Sequence, residues 1–317
     1  MAEFVLRRLL SAIPVLLLVT LIAASIMQLV PGDPAMVIAG SGASDAEVQQ
    51  VRQALGLDRS FGVRLLEWYG GLLRGDLGQS LLLNRSVTTA IAERLPVTLA
   101  LAGFALLLTI IIGVPAGIIA ALKANTAIDQ AVLMLALIGV SVPNFWLSLM
   151  LIVAFGVWLE VLPAGGYTPF ADDPLGWVRC LILPGISLAL LQIGLLARIT
   201  RATMLEVLRQ DYVRTARAKG LPIRMVVGQH ALRNVLVPVV TVIGISFGLL
   251  LSGSVVIETV YSIPGLGRLL ATAIFSRDYP VIQGGLLVTA AMLVLLNLAV
   301  DLLYAVIDPR IKHDGRS

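Results

Sequence analysis

Six apolar runs, nearly free of charge, divide the chain: Leu9 to Val30, Val97 to Leu122, Val132 to Leu159, Leu181 to Ala197, Val235 to Ile257 and Gly284 to Val306.

 Each is about as long as the roughly 20 residues that a helix needs to cross the hydrocarbon of a bilayer. Strands of a membrane barrel would be shorter and would alternate apolar with polar positions, whereas these runs are apolar on every face. A backbone inside lipid must satisfy its own hydrogen bonds, so the pattern predicts six transmembrane helices and an all-α, polytopic membrane protein, its third span running from Val132 to Leu159.

The polar stretches between the runs carry their own helix signals. Between Pro31 and Pro96, Ser44-x-x-Glu47 is a capping box that opens a helix through Val48, Val51 and Leu55, with Gly56 at the position of a C-terminal cap. A second amphipathic run, Phe61 to Leu73, places Phe61, Leu65, Trp68, Tyr69 and Leu72 at helical spacing and stops at Gly75. Its aromatic face suits either packing and interfacial anchoring or docking of an external partner, and the residues leave both open. The chain therefore divides into residues 1–95, the first span with this segment, and 96–317, a five-helix core that contains a polar loop at 198–238. A cleaved leader is the competing reading of the first thirty residues, but a run of about 22 apolar residues exceeds the usual 7 to 15.

Composition agrees with the pattern. Hydrophobic residues make up 58% of the chain and charged residues 13%, against roughly 25% charged in soluble domains. Orientation follows from the short loops, where basic residues mark the cytoplasmic side. Arg7, Arg8, Lys123, eight basic residues between spans four and five, Arg310, Lys312 and Arg316 lie on one face, while the short loops opposite hold Arg179, Arg268 and Arg277. Both termini are expected in the cytoplasm. Topology accounts for the basic residues, so nucleic acid is not an expected partner.

Candidate chemistry is sparse. None of Lys123, Lys219 and Lys312 follows a glycine, which excludes a phosphate-binding P-loop. His230 and His313 lack neighbours at ligand spacing, so no metal site is expected, and Cys180 is alone. The chain is read as non-catalytic. Within the spans Asp301 stands out, and a structural ion pair with Arg198 or Arg201 is its expected role. Gly113-x-x-x-Gly117, and Gly244, Gly248 and Ser252, offer close helix approach. Pro143, with Ser141 and Asn144, breaks span three and marks a candidate lining of a pathway, because backbone groups freed there need protein or water.

The loop from Arg198 to Pro238 holds eight of the 23 basic residues against two acids, Glu206 and Asp211. Met204 to Lys219 has helical character, Gly220 and Pro222 end it, and a second short helix is expected from Ile223 to Asn234. The result would be a hinged knob outside the bilayer, with an interfacial helix held by anionic lipids as the alternative.

Within this knob, TARAKG, preceded by Asp211-Tyr212 and followed by His230-Ala-Leu-Arg-Asn234, resembles the loop by which permease subunits of bacterial ABC importers grip their ATPases. The general pattern begins Glu-Ala-Ala, where this chain has Arg214, Thr215 and Ala216, a departure similar to the peptide and nickel branch that serves dipeptides, oligopeptides or glutathione. Pro31-Gly-Asp-Pro34, Leu55-Gly-Leu-Asp58, Gly75-Asp-Leu-Gly78, Glu258 to Gly267, Arg277-Asp-Tyr-Pro280 and Asp301 to Arg310 also resemble that branch, and the long segment after span one resembles its first permease.

The resemblance implies a type I ABC importer permease fold with a periplasmic helical segment, in the bacterial inner membrane. It implies as partners a second homologous permease, two cytoplasmic ATP-binding subunits, a periplasmic or lipid-anchored substrate-binding protein and membrane lipids. It implies no cofactor on this chain, with ATP and magnesium on the ATPases. Arg214, Thr215, Ala216, Arg217, Ala218, Lys219 and Gly220 would form the ATPase-coupling loop. Cargo identity is not carried by the resemblance.

Overall fold

The computed structural model describes residues 2–29, 33–40, 42–54, 56–222 and 225–307. The helices are α1 (Ala2–Leu29), α2 (Pro34–Ala39), α3 (Asp45–Ala54), α4 (Phe61–Leu72), α5 (Val87–Leu122), α6 (Ala127–Ser141), α7 (Asn144–Leu151), α8 (Pro174–Leu208), α9 (Asp211–Ala218), α10 (Leu232–Val260), α11 (Leu266–Ser276) and α12 (Tyr279–Ile307). A π-helical segment, Ile152–Trp158, extends α7, and another, Val226–Ala231, leads into α10. Two-residue strands, Gln79–Ser80 and Arg85–Ser86, form a small antiparallel hairpin that the apolar pattern does not announce.

Among the described residues, four helices are long and apolar enough to cross a membrane: Val87–Leu122, Pro174–Leu208, Asn234–Val260 and Tyr279–Leu302. The pair α6 and α7, with its π-helical extension, is apolar too but bends by 101° at the break. Helix α1 is 28 residues long and apolar through Leu10–Ser25. Span three is thus broken where Pro143 was expected to break it, and the result is a sharp turn between two helices. Helix α8 has 35 residues. At 1.5 Å per residue it is about 52 Å long, well beyond a hydrocarbon core of about 30 Å.

The chain forms two compact units, one made of the stretch up to Val97 with Pro264–Leu295, the other of Thr98–Ile263 with the chain from Leu296. In the first, the Asp33 side chain accepts from the Ala35 N–H to cap α2, with Pro34 at the first helical position, and also pairs with Arg52 of α3. The capping box forms as read: the Ser44 N–H donates to Glu47 at 2.7 Å, and the Glu47 N–H to the Ser44 hydroxyl at 3.4 Å. Trp68 and Leu72 of α4 pack on a core of Leu77, Val87, Ile91, Leu266, Leu270, Val281 and Leu287. The Tyr69 hydroxyl meets that of Thr20 at 2.7 Å and ties α4 to α1. In the hairpin, Ser80 donates to buried Asp278 of the Arg277-Asp-Tyr-Pro280 segment; burial pushes that carboxyl above the usual carboxylate range.

Helix α8 is the centre of the second unit, with 67% of its apolar window buried. Its neighbours approach through glycine. A Cβ on Gly117 of α5 would stand 2.5 Å from the Ala197 carbonyl oxygen, and one on Gly113 3.2 Å from that of Ile193. On the α6 side, a Cβ on Gly194 would stand 2.6 Å from the Ala136 oxygen, and one on Gly139 3.0 Å from the Leu190 oxygen. The second small-residue stripe is used at Gly244, which faces Val300, whereas Ser252 is exposed and bonds back to the Gly248 carbonyl. Cys180 is buried, as its packing role predicts.

Two helices of the polar loop differ from their expected extents. Met204 to Lys219 is two helices, because the chain turns at Arg209 and Gln210, whose carbonyl takes the Val213 and Arg214 N–H groups at 3.1 Å each. The second helix does not stand alone: the π-helical segment from Val226 runs into α10 without a stop, since no glycine or proline interrupts 229–234.

Replacing Gly117 by Ala is expected to destabilise the protein by about 1–3 kcal/mol, since the contacting atoms are largely backbone and cannot step aside. Gly103→Ala on the same helix meets nothing within 4 Å and should be neutral or stabilising. Thermal unfolding of the two variants in detergent checks this, and equal midpoints would refute the close-approach argument.

Candidate functional site

Helix α9 owes its position to two anchors. Val213 and Ala216, three residues apart and hence on one face, are buried against Val226, with Leu208 and Leu221 around them. The second anchor is polar: the Asn234 side-chain N–H donates to the Tyr212 hydroxyl at 2.6 Å, which fastens α9 to the first turn of α10. Asp211 stands in the first turn, where the helix dipole favours an anion. Gly220 ends the element with φ +80°, a left-handed conformation that glycine adopts without steric cost, and the Leu221 N–H returns to the Ala216 carbonyl. The Pro222 carbonyl then accepts the Met225 and Val226 N–H groups and restarts the helix.

This geometry divides the residues expected in the coupling loop. Arg214, Thr215, Ala218, Lys219 and Gly220 are exposed, with Arg214 reaching toward Asp211 at 3.5 Å. Ala216 is 7% exposed and faces its own chain, so its small side chain serves the anchor. The backbone of Arg217 lies in α9, and its side chain and that of His230 lie outside the described residues.

The expected ion pair is corrected for Arg201. Its guanidinium donates twice to Asp129 of α6, at 2.5 Å from Nε and 2.6 Å from Nη2. Asp129 also takes the Asn125 N–H at 2.9 Å, closing the turn between α5 and α6. Hydropathy set Asp129 at the edge of a span, while the fold brings α6 against α8 and makes it the nearer carboxylate. Arg198 is exposed and Asp301 half-buried.

Ser141, Pro143 and Asn144 come together at the bend between α6 and α7, the first two exposed and Asn144 half-buried. Two hydroxyls there bond back within their own helices, that of Ser141 to the Leu137 carbonyl and that of Ser148 to the Asn144 carbonyl. Behind the bend, the Tyr261 hydroxyl donates to the Ser148 carbonyl at 3.3 Å and lies 3.1 Å from the Ser187 hydroxyl, joining α7 and α8 to the residue that ends α10. Nearby in sequence, fully buried Glu258 accepts from Thr98 at 2.6 Å. In the sequence the segment Glu258 to Gly267 stands out as a motif; in the structure its carboxyl and phenol groups are internal anchors.

A short amphipathic helix, fixed on one face and free on the other, is thus carried by the two long helices on either side of it. Residues 113–313 match the family described as binding-protein-dependent transport system inner membrane component, and residues 1–102 match its N-terminal counterpart. The chain belongs to this family. Among its relatives, a putative peptide transport system permease protein of Brucella abortus (strain 2308) is 50% identical over 314 residues, covering 99% of this chain and 100% of that protein. The dipeptide transport system permease proteins DppB of Alkalihalophilus pseudofirmus and Escherichia coli K12 are 43% and 41% identical, each over 99% of this chain and 100% and 99% of their own lengths. A solved structure of the MetNI methionine ABC transporter, in an inward-facing form, shares the fold with a TM-score of 0.57 at 18% identity, covering 69% of this chain and 96% of its own.

In this permease the Arg201–Asp129 pair is open to a direct energetic test. Asp129→Ala leaves a guanidinium whose side chain is 20% exposed without its partner, and a loss of about 3–5 kcal/mol is expected. The double variant Asp129→Ala, Arg201→Met should lose much less than the two single variants added together. Chemical unfolding of all four proteins measures the coupling, and additive losses would show that the pair is not coupled.

Proposed function

We propose that this chain is one of two permease subunits of an ATP-driven importer that carries peptides across the bacterial cytoplasmic membrane, and that the exposed face of α9 is where an ATPase subunit grips it. The observation that carries the reading is the anchoring of α9, one face sunk into its own chain and the other presenting Arg214, Thr215 and Lys219 to solvent. The names of the relatives support a peptide cargo. Counting α1 as one crossing and the bent pair α6 and α7 as another gives six spans, with both termini on the cytoplasmic side that the basic residues mark. ATP and magnesium then belong to the ATPases, and an external binding protein delivers cargo to a pathway to which Ser141, Pro143 and Asn144 contribute at the bend. Closure of the ATPases would push α9, and alternating access would follow from rocking of the permeases.

The double substitution Arg214→Glu, Lys219→Glu tests the reading on exposed residues alone. Insertion and thermal stability should match the parent, while ATPase activity stimulated by the loaded binding protein should fall about tenfold or more, as for like charges forced into a charged interface. Ala216→Asp should instead loosen α9 itself, since a carboxylate enters an apolar contact. Full coupling in the double variant would refute the docking face.

A further inference from the structure

Within the first compact unit, a cavity of about 240 Å³ lies between α4 and the start of α12. Leu57, Phe61, Leu65 and Leu77 supply apolar wall. Three other lining residues each carry a buried side-chain atom with no hydrogen-bond partner: Arg64 Nε, Trp68 Nε1 and Tyr279 Oη. Tyr279 is 4% exposed. Buried polar atoms are nearly always partnered, so three orphans around one cavity call for an explanation.

Two of the three atoms are donors only, and the third donates as readily as it accepts, so the missing partner is an acceptor. Arg64 makes the site cationic. The acid in the lining, Glu67, is already paired with Arg59 at 2.5 Å, and does not neutralise it. We propose that this cavity is a binding site for a phosphate group. The guanidinium fork suits a phosphate's oxygens, and the indole N–H and phenol O–H add two further donors.

The surroundings favour a phospholipid as the source. Ala24 in the lining stands at the end of the apolar Leu10–Ser25 stretch, and Tyr279 begins the apolar stretch Tyr279–Leu302. The cavity therefore sits where two membrane helices pass out of hydrocarbon, the level at which headgroups and interfacial Trp and Tyr are found. The apolar walls would receive the first carbons of an acyl chain.

The test uses the full chain, purified in neutral detergent and stripped of lipid, with phosphatidylglycerol, inorganic phosphate and diacylglycerol as probes. Native mass spectrometry and thermal unfolding should show saturable phosphatidylglycerol binding that raises the unfolding temperature. Affinity should fall about tenfold in Arg64→Gln and about fivefold in Tyr279→Phe, with a smaller fall in Arg64→Lys, which keeps the charge and loses the fork. Should Arg64→Gln unfold early without lipid, Tyr279→Phe, which loses one hydroxyl, carries the test. Stabilisation by millimolar inorganic phosphate with the same dependence on the variants would support the phosphate site and assign it a soluble source. Equal stabilisation by diacylglycerol, which has no phosphate, or unchanged affinity in both Arg64→Gln and Tyr279→Phe, would overturn the proposal.

Discussion

Close approach of two helices to α8 is the constraint on which the second unit depends. Lipid is as apolar as leucine, so burying apolar surface drives helices together weakly inside a membrane, and contact distance takes over as the main source of attraction. Gly113 and Gly117 let α5 reach the α8 backbone, and Gly139 and Gly194 do the same between α6 and α8. With α5 and α6 held so near, Asp129 comes within reach of Arg201, and Ala121, Leu196, Met204, Val235 and Val239 close into one core. That core ends where α9 begins. The position of α9 is thus a consequence of helix packing some way up α8.

Polar bonds within this unit set register where dispersion alone would let helices slide. Arg201 with Asp129 fixes α8 against α6; Gln192 accepts from Ser246 at 3.1 Å and fixes it against α10. Tyr261 adds α7 to the set, and Thr98 with Glu258 ties α5 to the end of α10. Each bond lies between elements distant in sequence and has few alternative partners in an apolar surrounding, which makes it specific in a way that a leucine contact is not.

Much of this was legible in the sequence, and the reasons for the rest are physical. Long uncharged runs announce helices in lipid, the Ser44-x-x-Glu47 spacing announces α3, and Pro143 announces the break after Ser141. The angle of that break was not legible, because α7 beyond it packs on partners far away in sequence, among them Tyr261, more than a hundred positions from Ser148. Asp129 and Glu258 were passed over because a hydropathy window treats a charge near its edge as loop. The Val213–Ala216 spacing, followed by Val226, did carry the signal that Ala216 faces inward, whereas the resemblance of TARAKG to a docking loop groups Ala216 with its exposed neighbours. The orphaned donors around Tyr279 have no sequence signature, since they arise where α4 meets the start of α12.

The central claim is that α9 moves as one body with α8 and α10, because Val213 and Ala216 bury it and Tyr212 bonds it to Asn234. Spin labels at exposed Thr215 and Arg198 report the distance within the chain, and labels at Thr215 and the matching site of the second permease report the distance between subunits. In the assembled importer, ATP binding should change the second distance and leave the first unaltered. A first distance that changes while the second stays constant would contradict the account.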